Sequence, residues 1–144
     1  MISAVQFIAA MSTTLFAGAA IYINFVEHPA RMGCDTKTAA TVWAPSYKCA
    51  TVMQASLAIL GFLSGLSVWL LGGGILWLVG AVFIGLVVPF TFIVIMPTNH
   101  QLLAPGRDLA SSETRTLLEK WGKLHAVRSI LSFIASVVYV GLLF

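Results

Sequence analysis

Charged side chains make up only 9% of the 144 residues, against 59% hydrophobic ones. A water-soluble domain carries about 25% charged residues. So little polar surface cannot cover a globule in water, and the expected solvent is lipid. Basic runs, low-complexity tracts and internal repeats are missing too. With a net charge of only +3, nothing points to nucleic acid. Cysteine is scarce: Cys34 and Cys49 make neither a disulfide framework nor a CxxC redox pair. They read as two free thiols near an interface; a bridge between them is geometrically open and would imply an oxidising compartment. No HxxxH pair or Cys/His cluster occurs on any one stretch, which argues against structural zinc. The length fits a single domain, 1–144.

Long apolar runs are what the chain has instead. About 20 apolar residues cross a bilayer core of roughly 30 Å. Four stretches qualify, at about 4–26, 49–71, 75–96 and 124–144. The first lacks the basic start of a secretory signal, although Ala17–Ala20 resembles a cleavage site, and it reads as a retained span. Only Gly72–Gly74 separates the second and third, which predicts a tight antiparallel hairpin. Pro89 predicts a kink in the third, with the Thr91 hydroxyl placed to satisfy the freed carbonyl. Upstream of the fourth, Leu117, Leu118, Trp121 and Leu124 share a helical stripe, and Ser111 or Ser112 is the expected N-cap. The last helix therefore begins near residue 112 and extends beyond the membrane. The expected fold is all-α and integral to the membrane: an antiparallel four-helix bundle, up-down-up-down.

In that topology both termini and the glycine turn share one end, while segments 27–48 and 97–123 share the other. All eight Lys and Arg and all five acids fall on or near the second end. The positive-inside rule makes that end cytoplasmic and puts both termini on the opposite side.

Each span also brings special residues to the charged end. Asn24 and His28 are four apart and share a helix face. Pro29 is expected to stop that helix, with Arg31 beyond it. Tyr47 and Gln54, seven apart, share a face of the second helix, and Trp43 precedes them. The third contributes Asn99 and His100; the fourth contributes Trp121, His125 and Arg128 at spacings of four and three. Taken singly, Trp43, Tyr47 and Trp121 fit an aromatic belt and Arg31 a snorkelling side chain. Gln54 and Arg128 lie a turn or more inside apolar sequence, where polar groups face the bundle interior. His125, Asn24 and His28 are expected to point the same way. His100 reads as a loop histidine and Glu27 as a surface group. Three histidines at one end leave a transition-metal centre open, since the helices could assemble it in space.

The ordered set Asn24-x-x-x-His28-Pro29-x-Arg31, Trp43-x-Pro45-x-Tyr47 with Gln54, Pro97-x-Asn99, and Trp121-x-x-x-His125-x-x-Arg128 resembles the anthrone oxygenase-like family. These are small four-span membrane proteins, many of unknown function, and the resemblance covers essentially the whole chain. It implies oxidation of a polyketide anthrone to an anthraquinone by O2, without an organic cofactor. Such chemistry needs a base, an oxyanion stabiliser and an apolar slot. On the resemblance, His125 or His28 would be the base. Arg128 with Asn24 or Asn99 would stabilise the enolate and peroxide. Trp43, Tyr47 and Trp121 would stack on the substrate, with Gln54 among the binding residues. Cys34, Cys49 and His100 inherit no role. The implied partners are a small hydrophobic aromatic substrate and the lipid bilayer, with oligomers left open. Two rivals stand beside this reading: a non-enzymatic ligand-binding or assembly module, and a metal-dependent membrane oxidase. Interhelical hydrogen bonds in membranes average about 0.6 kcal/mol. As mere cement, a polar layer would therefore return little for its insertion cost, which tilts the balance towards a ligand.

Overall fold

Gly72 and Gly74 have φ angles of 87° and 98°, backbone that side chains with a Cβ rarely adopt, and there the chain reverses as expected. The computed structural model describes residues 2–144. Among the described residues every regular element is helical: α1 (Ser3–Met32), α2 (Thr36–Leu70), α3 (Ile75–Leu102) and α4 (Ser112–Gly141). All four are long and apolar enough to cross a membrane. Each of α1 and α3 packs against both α2 and α4, which gives the four-helix bundle.

The interior forms three layers. Farthest from the charged end, Tyr139 stacks on Trp77 at 5.0 Å, and its hydroxyl donates to the Gly61 and Trp77 carbonyls at 3.4 Å. A Cβ at Gly65 or Gly80 would collide with the Tyr139 side chain. Small residues thus let α2 and α3 close on it, as membrane helices do where lipid supplies no hydrophobic drive. Phe16, Ala20, Ala58, Ile84, Val87 and Ala135 fill the middle layer. The third layer, at the charged end, gathers Trp43, Trp121, Ile95, Leu102 and Leu118.

The helices are longer than expected. Pro29 does not stop α1, which runs on to Met32, and α2 begins at Thr36 with Pro45 inside it. Segment 27–48 is therefore mostly helix. The reason is a wide turn: Ile23–Glu27 is π-helical, and the His28 N–H reaches back to the Ile23 carbonyl. The ladder is re-registered just ahead of the proline, which has no N–H to offer. Thr91–Ile95 repeats the device before Pro97, with the Met96 N–H on the Thr91 carbonyl. Thr91 does donate its hydroxyl, at 2.7 Å, but to Val87 rather than to Gly85, the carbonyl that Pro89 leaves free. Ser111 caps α4 by accepting from the Thr114 N–H at 3.1 Å, and Asp35 caps α2 through the Thr38 N–H at 3.0 Å. Hydrogen bonds from Thr38 hold the Asp35 carboxyl below its usual range. Arg115, in the first turn of α4, donates to the Cys34 carbonyl at 3.0 Å and to that of Met32, tying α4 to the α1–α2 connection.

Candidate active site

Asn24 lies in the π-turn of α1 and faces α4. Its Nδ2 donates to the Gly122 carbonyl at 3.0 Å, which settles the amide's orientation because a carbonyl only accepts. Oδ1 then receives two donors, Ser129 Oγ at 2.6 Å and His125 Nδ1 at 2.7 Å. His125 therefore carries its proton on Nδ1, and the hydrogen bond of one ring nitrogen determines the state of the other. Its Nε2 keeps a lone pair and has no hydrogen-bond partner among the described residues.

His28 is the opposite case. Nε2 is 3.0 Å from the Leu118 carbonyl and must donate to it; Nδ1 accepts from Arg31 Nη1 at 3.5 Å. Both ring nitrogens are engaged. Asn24 and His28 thus grip successive turns of α4, through the carbonyls of Gly122 and Leu118. The absent side chain at Gly122 admits the His28 ring: a Cβ there would lie 2.6 Å from Cδ2 and 2.7 Å from Nε2.

Arg31 does not snorkel to headgroups. It is 6% exposed, pairs with Glu27 and donates to Ser46 Oγ at 3.2 Å. Glu27, read from the sequence as a surface group, also accepts from Ser46. One turn deeper than His125, Arg128 Nη2 donates to Gln54 Oε1 at 2.8 Å, and the guanidinium sits 5.5 Å over the Phe16 ring. Gln54 is 2% exposed. Gln54 Nε2 and Arg128 Nε remain without acceptors. An uncompensated buried donor is costly.

The aromatics form one chain. Tyr47 stacks on Trp43 at 5.1 Å with 5° between planes; Trp43 meets Trp121 edge-on at 5.8 Å; Trp121 lies 4.9 Å from His125 and 5.1 Å from His28. These contacts are among the side chains themselves, and Trp43 is buried to 1%. Asn99 is fully buried with neither amide atom partnered; it shares a face of α3 with Ile95 and Leu102, which pack in the Trp43–Trp121 layer. His100 sits exposed on the last turn of α3 rather than in a loop, and Cys34 and Cys49 are free and exposed. Among the described residues no three His, Cys, Asp or Glu side chains are grouped as a metal ligand set.

His125, Arg128, Gln54, Tyr47, Trp121 and Arg31 all border a chamber of about 10 Å³, the size of one water. Asn24 stands behind it. Gly122, Ser129 and Ser46 were not singled out from the sequence. Ser129 had a signal, being four residues after His125 on the same stripe; Gly122 and Ser46 matter only through partners on another helix.

A bundle of four membrane-crossing helices with a buried cluster of His, Arg and amide side chains at one end defines a small integral membrane protein. The anthrone oxygenase family model matches residues 43–138, and the chain belongs to that family. It is 39% identical over 70 residues to the anthrone oxygenase tpcL of Aspergillus fumigatus, covering 46% of this chain and 44% of tpcL. It is 34% identical over 115 residues to the anthrone oxygenase ptaC of Pestalotiopsis fici, covering 68% of this chain and 79% of ptaC. The chain thus spans under half of the first relative's length and about four fifths of the second's. No solved structure matches it.

Proposed function

We propose that this membrane protein oxidises an anthrone to the corresponding anthraquinone with O2 and no organic cofactor, using His125 as base. The single observation that carries the reading is the Asn24 amide, which holds His125 with its Nε2 lone pair free beside Arg128 and Gln54. The central methylene of an anthrone is acidified by its carbonyl and flanking rings. His125 Nε2 removes one proton, and the negative charge spreads to the ring oxygen, where Arg128 and Gln54 supply N–H donors in a water-poor site. The electron-rich carbanion reduces O2 and forms the C–O bond, and the imidazolium returns its proton to the peroxide. Loss of the second C–H proton then breaks the O–O bond, leaving the quinone carbonyl and water. One O2 atom ends in each product, and no external reductant is consumed.

His28 has both nitrogens committed, so it serves as a positioning residue that seats α1 on α4. The charged end faces the cytoplasm in this reading, because it holds every basic side chain. The test is anthrone-dependent O2 uptake by purified protein in nanodiscs. His125→Ala is expected to lose about 10²- to 10⁴-fold in rate, and Arg128→Gln about 10²-fold. Wild-type rates in both variants would overturn the assignment.

A further inference from the structure

The chamber beside His125 is far too small for three fused rings, so the ring system has to lie in adjoining space. A groove of about 250 Å³ between α2 and α3, floored by Phe16, shares Tyr47, Thr51, Gln54 and Arg128 with the chamber. Its outer lip, formed by Ala55, Ile59, Val88 and Phe92, is exposed on the side of the bundle, where the surroundings are lipid. Through Ala58, Ile59 and Val88 the groove continues into a wider apolar cleft of about 570 Å³ alongside Gly85 and Pro89. The small side chains of Ala55, Ala58 and Gly85 leave this seam open.

We infer that the substrate enters sideways from the bilayer along the α2–α3 groove, with its rings against the apolar lip and one ring oxygen on Gln54 and Arg128. This rests on the oxygenase reading. Two observations select that occupant over an acyl chain. Gln54 and Arg128, which line the inner end, each keep a buried N–H without an acceptor, Gln54 Nε2 and Arg128 Nε, and the methylenes of a lipid tail have no oxygen to offer them. A flat apolar polycycle with a carbonyl or phenol oxygen matches both the greasy lip and the donor-lined end. The opposite approach is shut. A cleft of about 360 Å³ between α1 and α2 also reaches Arg31, but there the Glu27–Arg31–Ser46 cluster stands between it and the chamber. Tyr47, whose hydroxyl lies 4.0 Å from Met96 Sδ, borders both groove and chamber and forms the partition the reactive carbon must pass.

The experiment uses the full chain in nanodiscs with two readouts: binding of a hydroxylated anthraquinone, followed by quenching of tryptophan fluorescence, and anthrone-dependent O2 uptake. Ala55→Phe and Val88→Phe fill the lip from the lipid side. Ile130→Phe, at an exposed position on α4 outside the groove, is the control. Both lip variants are expected to lose about tenfold or more in affinity and in kcat/KM, with the control unchanged. Adding empty nanodiscs at constant total anthrone should slow the wild type by diluting substrate in lipid. Lip variants that bind and turn over like the wild type would overturn the lateral route while leaving the oxygenase reading intact. A wild type that neither binds tricycles nor takes up O2 would overturn that reading, and the groove's occupant with it.

Discussion

Replacing Asn24 by Leu tests the core of the site, because Asn24 touches His125 but not the chamber. The side chain is close to isosteric, so the effect is electrostatic. Three partners lose their bond: His125 Nδ1–H at 2.7 Å, Ser129 Oγ at 2.6 Å and the Gly122 carbonyl at 3.0 Å. Ser129 can rotate its hydroxyl towards a carbonyl of its own helix, and Gly122 keeps its helical bond. The Nδ1–H of His125 has neither escape. Leaving it buried and unpaired costs about 1–3 kcal/mol. The ring avoids that cost by moving the proton to Nε2, the atom that must be free to act as base. A tautomer penalty of that size cuts the competent fraction about 5- to 150-fold. The loss should fall on kcat, with KM little changed, since no chamber wall has moved. O2 uptake gives the rate, and long-range proton–nitrogen spectra of the imidazoles report the tautomer directly. Asn24→Asp restores the acceptor for Nδ1–H and should keep the wild-type tautomer while losing the bond to Gly122. A Leu variant whose kcat and His125 tautomer both match the wild type would refute the reasoning.

Three further outcomes follow from the same geometry. Gly122→Ala presses a methyl against the His28 ring and should cost about 1–3 kcal/mol by overpacking, read as a lower midpoint of thermal unfolding in detergent. Asn99→Leu removes two buried polar atoms that have no partner; stability should stay level or rise, and a drop would mean that the amide is satisfied in solution. Cys34 is exposed in the connection between α1 and α2 at the charged end. With Cys49 replaced by Ser, a membrane-impermeant maleimide should label Cys34 in inside-out but not right-side-out vesicles; the reverse pattern would invert the orientation.

Most of the fold was legible because hydropathy measures the property that the bilayer selects. Four apolar runs, the Gly72–Gly74 turn and the Ser111 cap all correspond to observed features. The inward burial of His125, Gln54 and Arg128 was legible for the same reason: a polar group within a span has nowhere cheaper to go. Helix ends were harder to read. Pro29 read as a breaker under rules drawn from soluble proteins, where water competes for the freed carbonyl. Arg31 was misread because its acid, Glu27, lies one helical turn before it, and a premature helix end at Pro29 separates the two. The division of labour between the histidines was not legible either. It depends on which α4 carbonyl each ring meets, and no spacing along one helix encodes that.

The repeated π-turns tie these misreadings to the site itself. In an unbroken α-helix every backbone N–H is spent four residues back, and a proline leaves one carbonyl orphaned in a medium without water. At Ile23–Glu27 and at Thr91–Ile95 the chain takes a wider turn first and sets a proline two residues on, at Pro29 and at Pro97. A residue inside a wide turn is rotated off the regular helical stripe. Asn24 occupies such a place, which is why one amide can reach Gly122, His125 and Ser129 on another helix. The prolines then forbid an ordinary α-helical bond at positions 29 and 97, which discourages the turns from relaxing. Wide turns of this kind aim a side chain off the stripe. Asn99, two residues past Pro97, lies beyond the turn on a regular face of α3, buried and without a partner.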